Sequence, residues 1–380
     1  GGVTRRSLVN VQAIVVDSPG GPESLQLRSV ADPTAGPGEV VVEVVAAGVN
    51  RADLLQRQGF YPPPPGASDI LGLEVSGTLD EEPVCALLTG GGYAEQVAVP
   101  RGQVMPLPPG VDVVTAAGVP EVACTVYSNL AMTARLQPGE WLLVHGGGSG
   151  IGTFAIQWAR AIGAHVAVTA GSEEKLQRCA ELGAEVLINY REQDFVEALP
   201  QPADVILDVV GAKYLERNVK ALADGGRLVV IGLQGGVKAE LNLGALLAKR
   251  GSIIATTLRS RPPEQKTAIC EAVVREVWPL YASGAIRPVI DRVLPLADAA
   301  DWGDVHGFLG DAIVWLAGAH AHPHRQAPAT GCVRWVPGSA IGRAMTRRSS
   351  AHGHHRCEKP LHGGMPVRFR GRDGVGILSS

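Results

Sequence analysis

The sequence predicts an α/β protein of two domains, a β-rich domain followed by a doubly wound parallel sheet. Three observations predict it. The chain has 380 residues and 46% hydrophobic content, enough for two buried cores. Residues 11–130 carry short β-branched runs cut by Pro and Gly, the pattern of a small barrel or sandwich. From about residue 131 strands alternate with helical stretches, which implies a parallel sheet covered on both faces.

In the first region, residues 11–16, 40–45, 84–88 and 94–99 read as strands, with turn segments at 33–38 and 61–66. In the second, the apolar strand 141–144 runs into a glycine turn over 146–152 and then into a helix. Ile151, Phe154, Ala155, Trp158, Ala159 and Ile162 recur at helical spacing, and Gly163 follows as a stop. Further strands are expected at 166–169, 186–188, 205–209, 228–231 and 253–257. A helix is expected over 172–182, with Glu173 and Glu174 in its first turn favouring the dipole and Gly183 ending it. Residues 131–270 therefore read as a Rossmann-type domain. A helix over 271–281 and a strand over 289–294 come next, and the pattern dissolves beyond about Asp301.

Strand, glycine turn and helix, in that order, hold a dinucleotide pyrophosphate. The backbone approaches the phosphates closely and the helix N-terminus offers free N–H groups. Gly147, Gly150 and Gly152 fit the turn. An NAD site usually places an acid about 20 residues on, to bond the ribose hydroxyl. Here the second strand ends Thr169-Ala-Gly-Ser172, and Lys175 follows. A hydroxyl and an ammonium suit a 2′-phosphate, so NADPH is the expected cofactor. The plainer alternative makes Ser172 only an N-cap and Lys175 a solvated charge. His145, at the tip of the first strand of this domain, reads as structural.

Composition narrows the function classes. No run is apolar for the 18 residues a membrane span needs, and no secretory signal is visible at the start. The six cysteines lack metal-type spacing and read as reduced, mostly buried thiols of a cytoplasmic protein. The net charge of −3 hides a net +8 within residues 313–380. Basic tracts are usually solvated, so no nucleic-acid partner is expected. His352, His354, His355 and Cys357 lie in that tract with no fold signal to support a metal site.

Several motifs occur in a telling order. They are Gly48-Val-Asn50-Arg-Ala-Asp-Leu-Leu-Gln-Arg-Gln-Gly59-Phe-Tyr61-Pro, Ile70-Leu-Gly72-Leu-Glu74-Val-Ser-Gly77, Gly90-Gly-Gly-Tyr-Ala-Glu95, the glycine turn, Ala170-Gly-Ser172-Glu-Glu-Lys175, Ile188-Asn189-Tyr190 and Thr257-Leu-Arg259-Ser-Arg261. Over about residues 11–300 the chain resembles the zinc-free quinone oxidoreductases of the medium-chain dehydrogenase/reductases, most of all their stress-induced subgroup. That resemblance implies a GroES-like catalytic domain at 11–130, with 271–300 returning to it, and a Rossmann NADPH-binding domain at 131–270. It implies hydride transfer to a quinone in the cleft between them, and a homodimer through the Rossmann sheet edge. It places Asn50, Tyr61 and Thr125 by the nicotinamide, and Gly147, Gly150 and Gly152 on the pyrophosphate. Ser172, Lys175 and Tyr190 fall on the 2′-phosphate, and Arg259 on the cofactor. Tyr61 is the expected hydroxyl for a developing oxyanion. No metal is expected, because Asn50 and Leu73 stand where zinc-dependent relatives carry a cysteine and a histidine. The same residues would also serve reduction of an enal, enone or enoyl thioester, and a non-catalytic NADPH-binding protein is the reading from another class.

Two departures from the family pattern stand out. Residues 78–83 are shorter than expected, which either weakens the catalytic domain or makes a tighter turn. The strand that closes the family's first domain is not visible, and 301–380 reads as an atypical basic tail without order, in the manner of a shifted reading frame. Residues 1–10 read as preceding the family's usual start at Val11.

Overall fold

The computed structural model describes residues 10–298 and the backbone of Asp311–Trp315. The strands of the first region are β1 (Asn10–Val16), β2 (Leu25–Ala31), β3 (Glu39–Val49), β4 (Glu74–Leu79), β5 (Glu82–Leu87), β6 (Gln96–Pro100) and β7 (Val104–Pro106). β1 and β2 pair as a separate antiparallel ribbon. β3 is long enough to take three antiparallel partners along its length: β6 at 39–43, β4 at 43–47, and a strand from the far end of the chain at 46–49. Ile14, Val42, Val75, Leu88 and Val99 form the core under this sheet. Helix α1 (Arg51–Arg57) leaves directly from β3. β4 crosses β3 so closely that a Cβ on Gly77 would sit 1.9 Å from the Glu43 carbonyl oxygen, so only glycine fits. The short 78–83 stretch is the tight hairpin of the two readings. Asp80 and Glu81 form its two-residue loop with φ of 51° and 69°, the mirror-image turn that matches strand twist.

The second sheet is parallel. Its strands are β8 (Trp141–His145), β9 (His165–Ala170), β10 (Val186–Asn189), β11 (Ala203–Asp208), β12 (Leu222–Val230) and β13 (Ser252–Ala255), in the order β10-β9-β8-β11-β12-β13. That order reverses between β8 and β11, and ligands bind at such a switch point, beyond the carboxyl ends of the strands. α2 (Pro120–Val126) continues into a seven-residue π-helical stretch, Tyr127–Thr133, before β8. The covering helices are α3 (Gly150–Ala161), α4 (Glu173–Leu182), α5 (Phe195–Ala198), α6 (Leu215–Ala221) and α7 (Leu243–Ala248). α3 packs Phe154, Ala155, Trp158 and Ala159 into a core shared with Val144 and Val168. Gly163 and Gly183 take φ of 84° and 111° just past α3 and α4, as helix stops require.

Two expectations are corrected. The helix expected over 271–281 is α8 (Pro263–Glu276) followed by α9 (Trp278–Ala282). Pro263 opens α8 where its missing N–H costs nothing, and Pro279, second in α9, also falls in a first turn whose N–H groups lack helical partners. The closing strand expected to be missing is present. β14 (Ile290–Pro295) pairs in parallel with β15 (Asp311–Trp315), which pairs antiparallel with β3. Five residues, Asp-Ala-Ile-Val-Trp, are too few to show a period, and the unusual composition that follows them hid the strand. The basic tract beyond it, with His352, His354, His355 and Cys357 and its expected lack of order, lies outside the described residues.

Candidate active site

β8 ends at His145, and the turn that follows is tied to β9. The Gly146 and Gly147 amides donate to the Thr169 carbonyl at 3.0 and 2.9 Å. Ser149 caps α3, its Oγ accepting from the Gly152 amide at 3.0 Å and donating to the Gly146 carbonyl at 2.7 Å. Gly150 is the first residue of α3, so the amides of Gly150 and Ile151 are among the free donors of its first turn. A Cβ on Gly152 would meet the Gly146 carbonyl oxygen at 2.4 Å, and one on Gly147 would meet Val168 at 2.8 Å. The turn is therefore lined by glycines that leave room for close approach to the free α3 amides, as a pyrophosphate requires.

Ser172, Lys175 and Tyr190 come to the same end of the sheet. Ser172 is indeed an N-cap, its Oγ accepting from the Lys175 amide at 3.4 Å, which leaves its O–H free to donate. The Lys175 stem lies across Gly148, within 3.2 Å of where a Cβ would stand. The Tyr190 hydroxyl would lie 2.4 Å from a Cβ on Gly171, and the residue is 44% exposed. A hydroxyl, a phenol and a lysine stem thus border the tip of β9, which ends in Thr169 and Ala170.

Asn50 and Thr125 belong to a second cluster, joined through carboxylates. Asn50 donates from Nδ2 to Glu74 at 2.9 Å, and the other Glu74 oxygen accepts from the Glu121 amide at 2.9 Å. Thr125, buried in α2, donates to the Glu121 carboxylate at 3.0 Å. Tyr61 is reached from the other side, its ring 5.3 Å from the Arg259 guanidinium carbon. Arg259 is buried and donates to the Thr89 carbonyl at 2.8 Å and to Gln56 at 2.7 Å, while its Nη1 has no hydrogen-bond partner among the described residues. Lys266, also buried, bonds the Thr89 hydroxyl and the Arg259 carbonyl. An orphaned guanidinium N–H costs energy unless something else accepts from it, and an anionic or carbonyl-bearing ligand meets that need.

Asp53, Glu74 and Glu121 escaped the sequence reading. Asp53 is legible in retrospect as the third residue after an Asn at a helix start. It accepts from the Asn50 amide, the Gly72 amide and the Tyr93 hydroxyl at 2.8, 3.0 and 2.9 Å. Burial pushes it up to about 6 against the pull of those donors. Burial likewise pushes Glu121 up to about 7, against its bond from Thr125 and with a further push from Asp53. An acid raised in the folded state holds a proton that the unfolded chain has lost, so stability falls as pH rises from about 4.5 to about 7. Glu121→Gln keeps the acceptor for Thr125 and cannot ionise. It is expected to exceed the wild type in thermal stability at pH 8 by about 2 kcal/mol and to lose that advantage at pH 5. Calorimetry across this range checks it, and a gain independent of pH would refute it.

Among the described residues, no three His, Cys, Asp or Glu side chains gather as a metal site. Cys85, Cys124, Cys179 and Cys270 are free and buried.

Residues 36–83 match the alcohol dehydrogenase GroES-like domain, and 150–274 match the zinc-binding dehydrogenase domain. The chain is 32% identical to a rat quinone oxidoreductase over 311 residues, spanning 76% of this chain and 92% of the relative. The quinone oxidoreductase of Thermus thermophilus, whose structures include a complex with NADPH, superposes with a TM-score of 0.70 at 34% identity, covering 80% of this chain and all of that one. The Escherichia coli quinone oxidoreductase complexed with NADPH superposes with a TM-score of 0.71 at 28% identity and the same coverage.

Proposed function

The chain belongs to the quinone oxidoreductase family of the medium-chain dehydrogenase/reductases, and from that premise we propose that it reduces a quinone with NADPH. The observation that carries the cofactor choice is the acid-free tip of β9 bordered by Ser172, Lys175 and Tyr190. Gly147, Gly150 and Gly152 receive the pyrophosphate, and the orphaned Nη1 of Arg259 supplies a further donor. When bound, NADPH supplies the hydride. Tyr61 donates a hydrogen bond to the acceptor oxygen as charge builds there, and Arg259, stacked on the ring, favours that charge. Asn50 and Thr125, held by Glu74 and Glu121, wall the nicotinamide side. A quinone carbonyl needs no Lewis acid to accept hydride, and Asn50 and Leu73 offer neither a thiolate nor an imidazole, so the reaction is metal-independent. This division of labour puts catalysis in residues 11–130 with 271–300, and cofactor binding in 131–270.

The test is initial-rate consumption of NADPH and NADH with an ortho-quinone and, separately, an enal. Quinone-dependent oxidation of NADPH, much slower with NADH, is expected. Lys175→Ala is expected to lower the NADPH preference about tenfold or more by removing one charge-assisted bond to phosphate. An unchanged preference would remove Lys175 from the site. Turnover only with the enal would select double-bond reduction, and NADPH binding without turnover on either would select a binding protein.

The reading extends to a homodimer. Val237, Leu243 and Leu247 are 73%, 69% and 78% exposed, α7 buries none of its residues, and β13 is the edge of the parallel sheet beside them. A second copy covers such an edge and apolar row together. Leu243→Lys with Leu247→Lys is expected to give monomers of unchanged circular dichroism in sedimentation. A wild type that sediments as a monomer would refute the dimer. The free buried thiols fit a cytoplasmic location.

A further inference from the structure

His145, which reads from sequence as a structural residue, is the centre of a hydrogen-bond chain in which every proton can be assigned. Asp208, fully buried at the end of β11, accepts from the Val210 and Gly211 amides at 2.7 and 3.0 Å and from Asn218 Nδ2 at 3.1 Å. Because Asn218 spends its amide N–H on Asp208, its Oδ1 faces His145, 2.7 Å from Nε2. Nε2 must then carry the proton, and Nδ1 must be the acceptor. The partner of Nδ1 is the Thr169 hydroxyl at 3.1 Å, which therefore donates. The Thr169 oxygen is left with its lone pairs toward the Gly146 amide, 3.4 Å away. The Thr169 carbonyl already takes the Gly146 and Gly147 amides. Edge-on contacts from Phe195 and Tyr214 at 4.7 and 4.8 Å fix the ring plane. The chain thus crosses the switch point from β11 through β8 to β9 and ends on the glycine turn.

Asn218, Asp208, His145 and Thr169 are all buried, so no water is at hand to replace a lost partner. Burial also holds the imidazole down to about 4, with the Asn218 bond opposing and the nearby Arg217 charge adding to the shift. The neutral tautomer is the one the geometry requires.

We propose that His145 is a positioning residue for the dinucleotide: its Nε2-protonated ring, set by Asp208 through Asn218, orients the Thr169 hydroxyl toward the Gly146 amide and so fixes the start of the glycine turn that presents the free α3 amides to the pyrophosphate. This rests on the cofactor reading above, and it adds a residue that touches neither cofactor nor substrate. Thr169→Val keeps the shape and β-branching but removes the donor to Nδ1, whereas Thr169→Ser keeps the hydroxyl and loses a methyl.

The experiment measures NADPH Kd by fluorescence titration, together with the melting temperature, for wild type, T169V, T169S, H145L and the T169V/H145L double variant. T169V and H145L are expected to weaken NADPH about tenfold and to raise KM for NADPH more than they lower kcat. T169S is expected to stay within about threefold of wild type. The double variant is expected to be no weaker than the worse single, because both cut one chain. A purely packing role predicts the opposite order, with T169S the worse of the two threonine variants. T169V with wild-type Kd overturns the inference even if H145L fails to fold. A wild type that does not bind NADPH overturns the cofactor reading first, and the inference with it.

Discussion

A chain ending at residue 310 is expected to fail where one ending at residue 316 does not. The difference is β15, which lies between β14 and β3 and pairs with both. Without it, β14 loses its one partner among the described strands, and β3 is left with an open edge over residues 46–49. Those residues run straight into Asn50 and the start of α1, so the loss reaches the site as well as the sheet. Removing an interior strand is expected to cost about 5 kcal/mol or more, a large share of the stability of an ordinary domain. It would also expose strand edges to other chains. Soluble yield, urea unfolding and quinone turnover of the two truncated chains check it. Equal midpoints for the two would show that the strand adds nothing to the fold.

The second large effect is expected at Gly152. The backbone oxygens of Gly146 and Gly147 lie 2.4 and 2.5 Å from where its Cβ would be placed. Neither can swing aside as a side chain could, because Gly146 is held at one end by Thr169 and at the other by Ser149. Gly152→Ala must therefore push the turn away from α3, and the Ser149 cap on the Gly152 amide goes with it. NADPH affinity is expected to fall at least about a hundredfold, with a loss of about 2–3 kcal/mol in stability from the lost cap and the strain together. Gly150→Ala, at the first helical position, is the control and is expected to be milder. Isothermal titration with NADPH decides it, and wild-type affinity in Gly152→Ala would mean that the turn is more pliant than its hydrogen bonds imply.

How legible the molecule was depended on how local each signal is. The glycine turn, α3 and α4 were readable because a 3.6-residue period, a cap and a terminal glycine fall within a dozen residues of one another. β2 was not readable. Its sequence, Leu-Gln-Leu-Arg-Ser-Val-Ala, is mostly exposed, and it exists because β1 pairs along its whole length. β4 lies within a recognisable motif yet carries no strand pattern, since Glu74, Ser76 and Gly77 are poor strand formers whose places are set by the neighbouring β3 and by hydrogen bonds. β15 went unseen because its antiparallel partner, residues 46–49, comes from the other end of the chain. The carboxylates of the site follow the same logic. Asn50 and Thr125 could be carried over from motifs, but the Glu74 and Glu121 that hold them depend on contacts between distant segments. His145 stands alone in the sequence, and a lone histidine gives no hint of Asn218 or Asp208.

The bonds to Thr89 have a consequence for how the cleft works. Arg259, just before α8, and Lys266, within it, hold the Thr89 loop after β5, with Gln56 of α1 accepting from a second Arg259 nitrogen. Each is a hydrogen bond to a charged group, worth roughly 1.5–3 kcal/mol. Separating the two walls would break all three at once, on the order of 5 kcal/mol, which leaves roughly one molecule in a few thousand ajar at any moment. Arg259, Lys266 and Thr89 therefore act as a latch between these segments rather than as a hinge.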